Sequence, residues 1–165
     1  MKTKKKLSHV DRRGKAAMVD VSGKSNTERR ATAMARVTMS AAAFDAIQNN
    51  TIKKGDVLTV AQLAGIMAAK KTSDLIPLCH PLNLSRVDVA CFPEPDSLSI
   101  RIEATCKLLG KTGVEMEALT AVTIAALTVY DMAKAMDKKM VIRDICLLEK
   151  SGGKSGIFRN NKMKP

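Results

Sequence analysis

The chain has 165 residues, 45% of them hydrophobic and 27% charged, which is the composition of one soluble globular domain. Its formal net charge of +12 would suit a nucleic-acid-binding protein, but the excess lies near the ends: residues 1–15 carry +6 and residues 159–165 carry +3. Aromatic residues make up only 2%, so there is little on which bases could stack, and nucleic acid is not an expected partner.

We predict flexible basic tails at residues 1–15 and 159–165, flanking one domain at residues 16–158. The N-terminus lacks the apolar segment of a secretory signal, and no run approaches the roughly 20 apolar residues of a membrane helix. The four cysteines are scattered and there are two histidines, so no zinc site is expected. These features predict a cytoplasmic protein that does not contact a membrane.

The first half of the domain predicts one strand and two helices. Polar and apolar residues alternate from Arg30 to Met39, which favours a strand. Residues 40–50 are typical of a short helix that ends at two asparagines. Asp56 then predicts the N-cap of a helix over residues 57–71.

The second half predicts a hairpin over residues 84–92 and 97–109, joined by a proline-containing turn. The second of these strands alternates without a break, which indicates a sheet with one buried face. We expect its buried face to consist of Leu98, Ile100, Ile102, Ala104 and Cys106.

A long helix over residues 114–136 and a strand over 139–149 complete the order β-α-α-β-β-α-β. This order favours an α+β fold, a ferredoxin-like two-layer sandwich whose antiparallel sheet has its helices packed on one face. On the long helix we expect a core stripe of Ala118, Val122, Ala125, Val129, Met132 and Met136. Other apolar residues lie off this stripe, so we expect the helix to lie between the sheet and a second subunit. On this helix Asp131 and Lys134 are either a surface ion pair or an acid and a base on a rigid scaffold.

The segment KKTSDLIPLCHP, residues 70–81, presents Cys79 and His80 between two prolines that stiffen the turn. An imidazole close to two lysines suits an anionic substrate that needs proton transfer. The alternative is a loop that simply packs on the core, with His80 as a satisfied polar group.

SGGKSG, at residues 151–156, resembles a phosphate loop, but Leu148 stands where a Walker motif needs glycine. The segment is then either an anion-binding loop between Lys150 and Lys154 or a flexible connector. Lysines recur in other loops of the domain, and several of them together would hold a polyphosphate if they converge.

Six motifs occur in order along the chain: MVDVSGK (18–24), KGDV (54–57), AGIMAAKKTSDLIPLCHPL (64–82), KTGVEMEALTA (111–121), LTVYDMAKA (127–135) and LLEKSGGKSG (147–156). Over residues 16–158 the chain resembles the cyclic pyranopterin monophosphate synthases, the family of molybdenum cofactor biosynthesis protein C. The resemblance implies a lyase that converts 3′,8-cyclo-7,8-dihydro-GTP to cyclic pyranopterin monophosphate and pyrophosphate. It also implies a ferredoxin-like core and a homohexamer, a trimer of dimers with the active site at the dimer interface.

Position within these motifs implies roles for individual residues. Asp131 and Lys134 match the family's catalytic pair. We expect Lys134 to be the principal general acid/base and Asp131 to orient it, and the reverse assignment is equally open. The implied substrate contacts are Leu78, Cys79, His80, Glu115, Met116, Glu117, Lys54 and Lys70, with Arg29, Lys24 and Lys150 as triphosphate contacts.

Two details of this site stay open. Glu115 and Glu117 lie about 200° apart on an ideal helix, so both face one pocket only if the helix start is irregular or two subunits contribute. Loop lysines, alone or with Mg²⁺ on the triphosphate, would stabilise the leaving pyrophosphate, and no other cofactor is implied.

Two other classes of function also remain. A nucleotide- or RNA-binding protein would depend on the basic tails, so deleting them would abolish binding. A purely structural oligomer would use Asp131 and Lys134 as an interface ion pair, so removing them would dissociate the assembly.

Overall fold

The computed structural model describes residues 15–154 and 156–161, so the predicted basic tails lie largely outside the described residues. The elements in chain order are β1 (Thr27–Thr38), α1 (Ala41–Gln48), α2 (Val57–Ala69), α3 (Thr72–Leu75), β2 (Arg86–Glu94), a 3₁₀ turn (Pro95–Ser97), β3 (Ser99–Gly110), α4 (Glu115–Ala133), β4 (Val141–Ser151) and β5 (Phe158–Arg159). The predicted strands and helices are all present, with ends shifted by up to three residues. The four-residue α3 and the two-residue β5 were not predicted.

In the described part of the chain the strands form one antiparallel sheet in the order β2-β3-β1-β4-β5. The central strand, β1, is rich in alanine, which weakens its intrinsic strand preference. Ala31, Ala33, Ala35 and Val37 are nevertheless fully buried in the core, where their small side chains let a helix approach the sheet. Tertiary packing therefore decides the conformation of this segment.

The helices cover one face of this sheet. The long helix α4 packs on β1, β3 and β4, while α2 packs beside it and over β2. Asp56 caps α2 as predicted, because its Oδ1 accepts a hydrogen bond from the amide of Thr59 at 3.0 Å. This arrangement confirms the predicted α+β two-layer sandwich with an antiparallel sheet and helices on one face.

The turn between β2 and β3 differs from the prediction. Leu98, expected on the buried face, follows the 3₁₀ turn with a φ of 45° and is 36% exposed. Ser99, expected on the polar face, is fully buried, and its hydroxyl donates to a carboxylate oxygen of Glu94 at 3.0 Å. Alternation failed here because the chain does not become extended until Ser99. From Ile100 to Cys106 the predicted buried face is confirmed.

Part of the apolar circumference of α4 is covered within its own chain. Its predicted stripe is buried from Ala118 to Met132, whereas Met136 lies beyond the helix and is 51% exposed. On a second side α4 is covered by α2 of the same chain, so that side is not free for another subunit. Leu127 remains 51% exposed between the buried sides.

By length and composition alone α4 could cross a membrane. We had expected no segment to approach the length of a membrane helix, and α4, with 19 residues, does approach it. The buried residues of α4 belong to the hydrophobic core, however, and the helix packs on the sheet and on α2. An apolar helix so placed is typical of the interior of a folded domain.

Gly65 sets how closely α2 and α4 approach. A Cβ at this position would lie 3.0 Å from the backbone oxygen of Ala121 and 3.3 Å from side-chain carbons of Ala125 and Val89. We expect Gly65→Val to lower the free energy of unfolding by about 1–3 kcal/mol, because the helices must separate to admit the side chain. Urea denaturation measures this change. Gln62→Val is the control for a β-branched residue in the same helix, and equal losses in the two variants would contradict the close-packing explanation.

Candidate active site

Ten of the thirteen predicted site residues fall into two groups at opposite ends of α4. The first group lines a cavity of about 390 Å³ at the N-terminus of α4, which we call the His80 cavity. The second group lines a cavity of about 350 Å³ at its C-terminus, the Asp131 cleft. Of the predicted residues, the His80 cavity holds Lys24, Leu78, Cys79, His80, Glu115, Met116 and Glu117, and the Asp131 cleft holds Lys54, Asp131 and Lys134.

The loop that follows α3 positions His80. The amide of Cys79 donates to the carbonyl of Ile76 at 3.1 Å, which closes a turn before the histidine. His80 Nε2 then lies 2.9 Å from the carbonyl oxygen of Val19, so the imidazole joins the loop to the N-terminal segment. His80 is half-buried and lines the cavity. The prolines therefore frame a loop that lines a cavity, while one ring nitrogen of His80 has a hydrogen-bond partner, as the alternative of a satisfied polar group expects.

Glu117 is the most deeply buried carboxyl group of the site, with 4% of its surface exposed. This burial, with a smaller contribution from the negative charge of Glu115, raises the pKa of Glu117 to about 7. A carboxyl group with such a pKa can exchange a proton at neutral pH. The pKa of the neighbouring Cys79 thiol is also raised, first by burial and then by the charge of Glu117, so this thiol stays protonated.

Both glutamates reach the His80 cavity from one chain. The cavity is lined by the first turn of α4, and Thr112 and Gly113 complete that wall. Glu115 Oε1 also accepts a hydrogen bond from Lys150 Nζ at 2.6 Å. An opening at the end of a helix is accessible from more directions than one along its side, so neither a distorted helix nor a second subunit is needed to bring both carboxylates there.

Next to the His80 cavity, basic side chains line a smaller cavity of about 170 Å³, which we call the cationic groove. Its basic residues are Lys24, Arg29, Arg30, Lys111 and Lys150. Convergence of the loop lysines is thus observed for three of them. Lys154 lines an adjoining cavity together with Lys24 and Arg29. A groove with this charge suits a polyphosphate.

The glycine-rich loop forms one wall of the cationic groove. Gly152 and Gly153 have φ angles of +101° and +72°, which favour glycine. A Cβ at Gly153 would overlap the guanidinium of Arg29, and one at Gly152 would overlap the backbone oxygen of Glu28. Arg29 in turn donates to the backbone oxygens of Gly110 and Lys111, each at 3.3 Å. These contacts favour a role in the site over a free connector.

In the Asp131 cleft two lysines hold one carboxylate. Lys134 Nζ donates to Asp131 Oδ1 at 2.6 Å, and Lys54 Nζ donates to Asp131 Oδ2 at 3.0 Å and to its backbone oxygen at 2.9 Å. The hydrogen bond from Lys134, followed by that from Lys54, lowers the pKa of Asp131, and Asp131 raises the pKa of Lys134. The carboxylate is therefore ionised and the ammonium protonated at neutral pH.

Lys70 lies apart from these residues. It is exposed at the C-cap of α2 and lines neither the His80 cavity nor the Asp131 cleft. Since Lys54 precedes α2 and contacts Asp131 near the end of α4, the two helices run antiparallel. Lys70 thus lies toward the His80 end of the helix pair, outside the linings of both cavities.

The two halves of the site are far apart in one chain. Glu117 and Asp131 both belong to α4 and are separated by 14 residues. At 1.5 Å per residue their Cα atoms lie about 21 Å apart along the helix. Groups that exchange protons with the same reacting atoms must come within hydrogen-bond reach of them. Within one chain, Glu117 and Asp131 therefore do not reach the same reacting atoms.

Some residues that line the site were not predicted. Val19 and Val21 form an apolar wall of the His80 cavity, Arg30 lines the cationic groove, and Tyr130 lines the Asp131 cleft. A signal for the two valines was present in the sequence, because MVDVS alternates apolar and polar residues. No local pattern distinguishes Arg30 from the other arginines of β1.

The sequence matches one protein family and several of its members over most of its length. The family model described as the MoaC family matches residues 18–153. A cyclic pyranopterin monophosphate synthase of Rhodospirillum rubrum is 60% identical over 152 residues, covering 92% of this chain and 92% of the relative. A protein of the same name from Heliobacterium modesticaldum is 59% identical, and the match covers 92% of this chain and 96% of the relative. One from Desulforapulum autotrophicum is 56% identical, and the match covers 92% of this chain and 93% of the relative.

Proposed function

This chain belongs to the MoaC family, and we propose that it catalyses the reaction for which its relatives are named, as a cyclic pyranopterin monophosphate synthase. In this reaction of molybdenum cofactor biosynthesis, 3′,8-cyclo-7,8-dihydro-GTP is converted to cyclic pyranopterin monophosphate and pyrophosphate. The observation that carries the proposal is the cationic groove beside a cavity whose buried carboxyl group, Glu117, has a pKa of about 7. Such a site combines polyphosphate binding with proton transfer. Its nucleotide-derived substrate implies a cytoplasmic location.

The cationic groove is the proposed triphosphate site. Lys24, Arg29 and Lys150 bind the phosphates, together with Lys111. Formation of the cyclic phosphate expels pyrophosphate, and the negative charge that develops on it is stabilised by these cations. A Mg²⁺ ion that arrives with the triphosphate is part of the substrate, and no step of the proposal depends on it.

The ring rearrangement needs protons to be moved on and off nitrogen and carbon. In the Asp131 cleft, Lys134 is a protonated ammonium group and Asp131 an ionised carboxylate. These states favour Lys134 as the proton donor and Asp131 as the group that orients it, with Lys54 as a second donor to Asp131. Leu78, Cys79 and Met116 line the pterin-binding cavity, in which His80 and Glu117 exchange protons.

We further propose that the active site is formed by two subunits. The distance of about 21 Å between Glu117 and Asp131 along α4 requires the Asp131 cleft of one chain to meet the His80 cavity of another. A two-fold axis makes the same pairing twice, so each dimer holds two complete sites. Three such dimers would give the hexamer that the resemblance implies, and the exposed Lys70 is then available to a neighbouring chain's site.

A single-turnover assay with 3′,8-cyclo-7,8-dihydro-GTP tests the proposed function. We expect wild-type protein to release pyrophosphate and pterin product together. The assembly is followed in parallel by light scattering, because a purely structural role of Asp131 and Lys134 predicts dissociation upon their removal. Deletion of residues 1–15 is the control for the binding-protein alternative, and it should leave turnover nearly unchanged. Absence of turnover by the wild type would contradict the proposal.

A further inference from the structure

Residues 18–24, which we call the strap, cross the His80 cavity before β1 begins. Val19 and Val21 are half-buried and line the cavity, whereas Asp20 and Ser22 between and beyond them are exposed. At its C-terminal end the strap also contributes Lys24 to the cationic groove. The strap is therefore a wall shared by both parts of the site.

Two side chains of the site tether the strap. His80 Nε2 lies 2.9 Å from the backbone oxygen of Val19, and Lys111 Nζ donates to the backbone oxygen of Ser22 at 2.7 Å. Within the strap, Asp20 Oδ1 accepts from the amide of Ser22 at 2.8 Å. Val19 and Ser22 thus offer their carbonyl groups to donors from the loop after α3 and from the turn before α4. The strap is held at two points, with an internal hydrogen bond between them.

The contact with Val19 distinguishes the two nitrogens of His80. A backbone carbonyl oxygen can only accept a hydrogen bond, so the imidazole nitrogen that faces it must carry the hydrogen. In a neutral imidazole the other nitrogen is then an acceptor. The same arrangement, with one ring nitrogen donating to a carbonyl, fixes the tautomer and orientation of functional histidines in other settings.

We propose that the strap is a positioning element of the site: the carbonyl of Val19 holds His80 as the Nε2–H tautomer, so that Nδ1 is the atom that takes a proton from the substrate. The proton of a substrate N–H or O–H passes to Nδ1, and its bonding electron pair stays on the substrate heteroatom. The imidazolium so formed keeps its Nε2–H bond to Val19, whose carbonyl dipole stabilises the new charge. Nδ1 later returns the proton, and the ring is restored.

The role of Nδ1 rests on the proposed function, whereas the tautomer itself does not. The tautomer is measured from the ¹⁵N chemical shifts of the two imidazole nitrogens, which distinguish the Nε2–H, Nδ1–H and doubly protonated rings. The sequence has only two histidines, so His9→Gln leaves His80 as the sole signal. We expect the Nε2–H form in the full chain. Predominance of the Nδ1–H form would overturn the proposal.

A chain that begins at Ser22 removes Val19 and tests whether the strap is the cause. We expect the truncated protein to show a mixture of both tautomers, since the fixed acceptor is gone. An unchanged Nε2–H signal would contradict the role of the strap. Circular dichroism and thermal unfolding establish that the truncated chain folds. If the truncated chain does not fold, Val19→Gly in the full chain is the second variant. Greater freedom of the backbone at this position should raise the Nδ1–H fraction, and an unchanged fraction counts against the proposal.

Two substitutions of His80 separate the tether from proton transfer. The amide nitrogen of glutamine can reach the position of Nε2 and donate to Val19, whereas it offers no base at the position of Nδ1. We expect His80→Gln to keep the strap amides protected from hydrogen exchange but to lower turnover by about 10²-fold or more. His80→Ala should lose both the protection of the strap amides and the turnover. Near-normal turnover in His80→Gln would contradict the proton transfer and leave His80 only as a tether. Absence of turnover by the wild type would contradict the proposed function, whereas the tautomer result would still stand.

Discussion

Lys134→Ala is expected to lower the single-turnover rate by about 10²–10⁴-fold, the range in which general acid–base groups contribute. Lys134 donates to Asp131 at 2.6 Å and is held as an ammonium group whose pKa is raised by that carboxylate. Removing it leaves Asp131 bound to Lys54 alone, so the cleft keeps a carboxylate but loses its proposed proton donor. Asp131→Asn should also lose activity, because its neutral amide would hold Lys134 less firmly.

The stability of the protein should barely change in these variants. The side chains of Lys134 and Asp131 are 51% and 55% exposed, and solvent-screened ion pairs of this kind contribute little to the free energy of unfolding. Lys139→Ala, an exposed lysine beyond the same helix, is the matched control and should keep full turnover. Near-normal turnover in Lys134→Ala would end its assignment as the principal acid. Dissociation of the assembly in either Asp131 or Lys134 variant would support the structural alternative.

Glu117→Gln is expected to abolish most of the turnover, by about 10²-fold or more, and to remove one limb of the pH–rate profile. The pKa of Glu117 is about 7 because the group is buried beside Glu115, so its ionisation should set a limb near neutral pH in the wild type. Glutamine has nearly the same shape but does not titrate. A limb near pH 7 that persists unchanged in Glu117→Gln would show that another group causes it. Asp96→Asn, in the exposed turn before β3, is the control.

The same substitution should change the dependence of stability on pH. A carboxyl group whose pKa is raised on folding keeps its proton in the folded state after the unfolded chain has lost it, so stability falls as pH rises. For Glu117 this loss develops between its ordinary pKa of 4.5 and about 7. We therefore expect the stability of Glu117→Gln relative to the wild type to rise by on the order of 3 kcal/mol from pH 4 to pH 9. Equal pH dependence in both proteins would contradict the burial of an ionisable group here.

Periodicity in the sequence was enough to predict the sheet and the long helices. Alternation from Ile100 to Cys106 and the apolar stripe from Ala118 to Met132 matched the buried faces. The short elements α3 and β5 were not predicted, because neither spans enough residues to show a periodic pattern. Leu98 was placed on the buried face because alternation does not reveal that a residue with a positive φ precedes the start of β3.

The site was only partly predictable. Motif positions identified residues in the His80 cavity and in the Asp131 cleft, but convergence of Lys24, Lys111 and Lys150 depends on three segments that are distant in the sequence. The burial that raises the pKa of Glu117 likewise depends on the tertiary structure, in which the strap and the loop of His80 line the same cavity as Glu117. The separation of Glu117 from Asp131 was available in the sequence, since both fall in one predicted helix and the rise per residue is fixed.

Complementation between two inactive variants tests most directly whether two chains share the active site. Glu117→Gln inactivates the His80 cavity and Lys134→Ala the Asp131 cleft. The two variants are dissociated, mixed and allowed to reassociate. Half of the resulting dimers would contain one chain of each variant, and each of these mixed dimers would hold one intact site. The shared-site account predicts that the mixture regains about a quarter of the wild-type turnover, by random pairing in two-fold dimers. A mixture no more active than the separate variants, with exchange of subunits verified by mass labels, would contradict it.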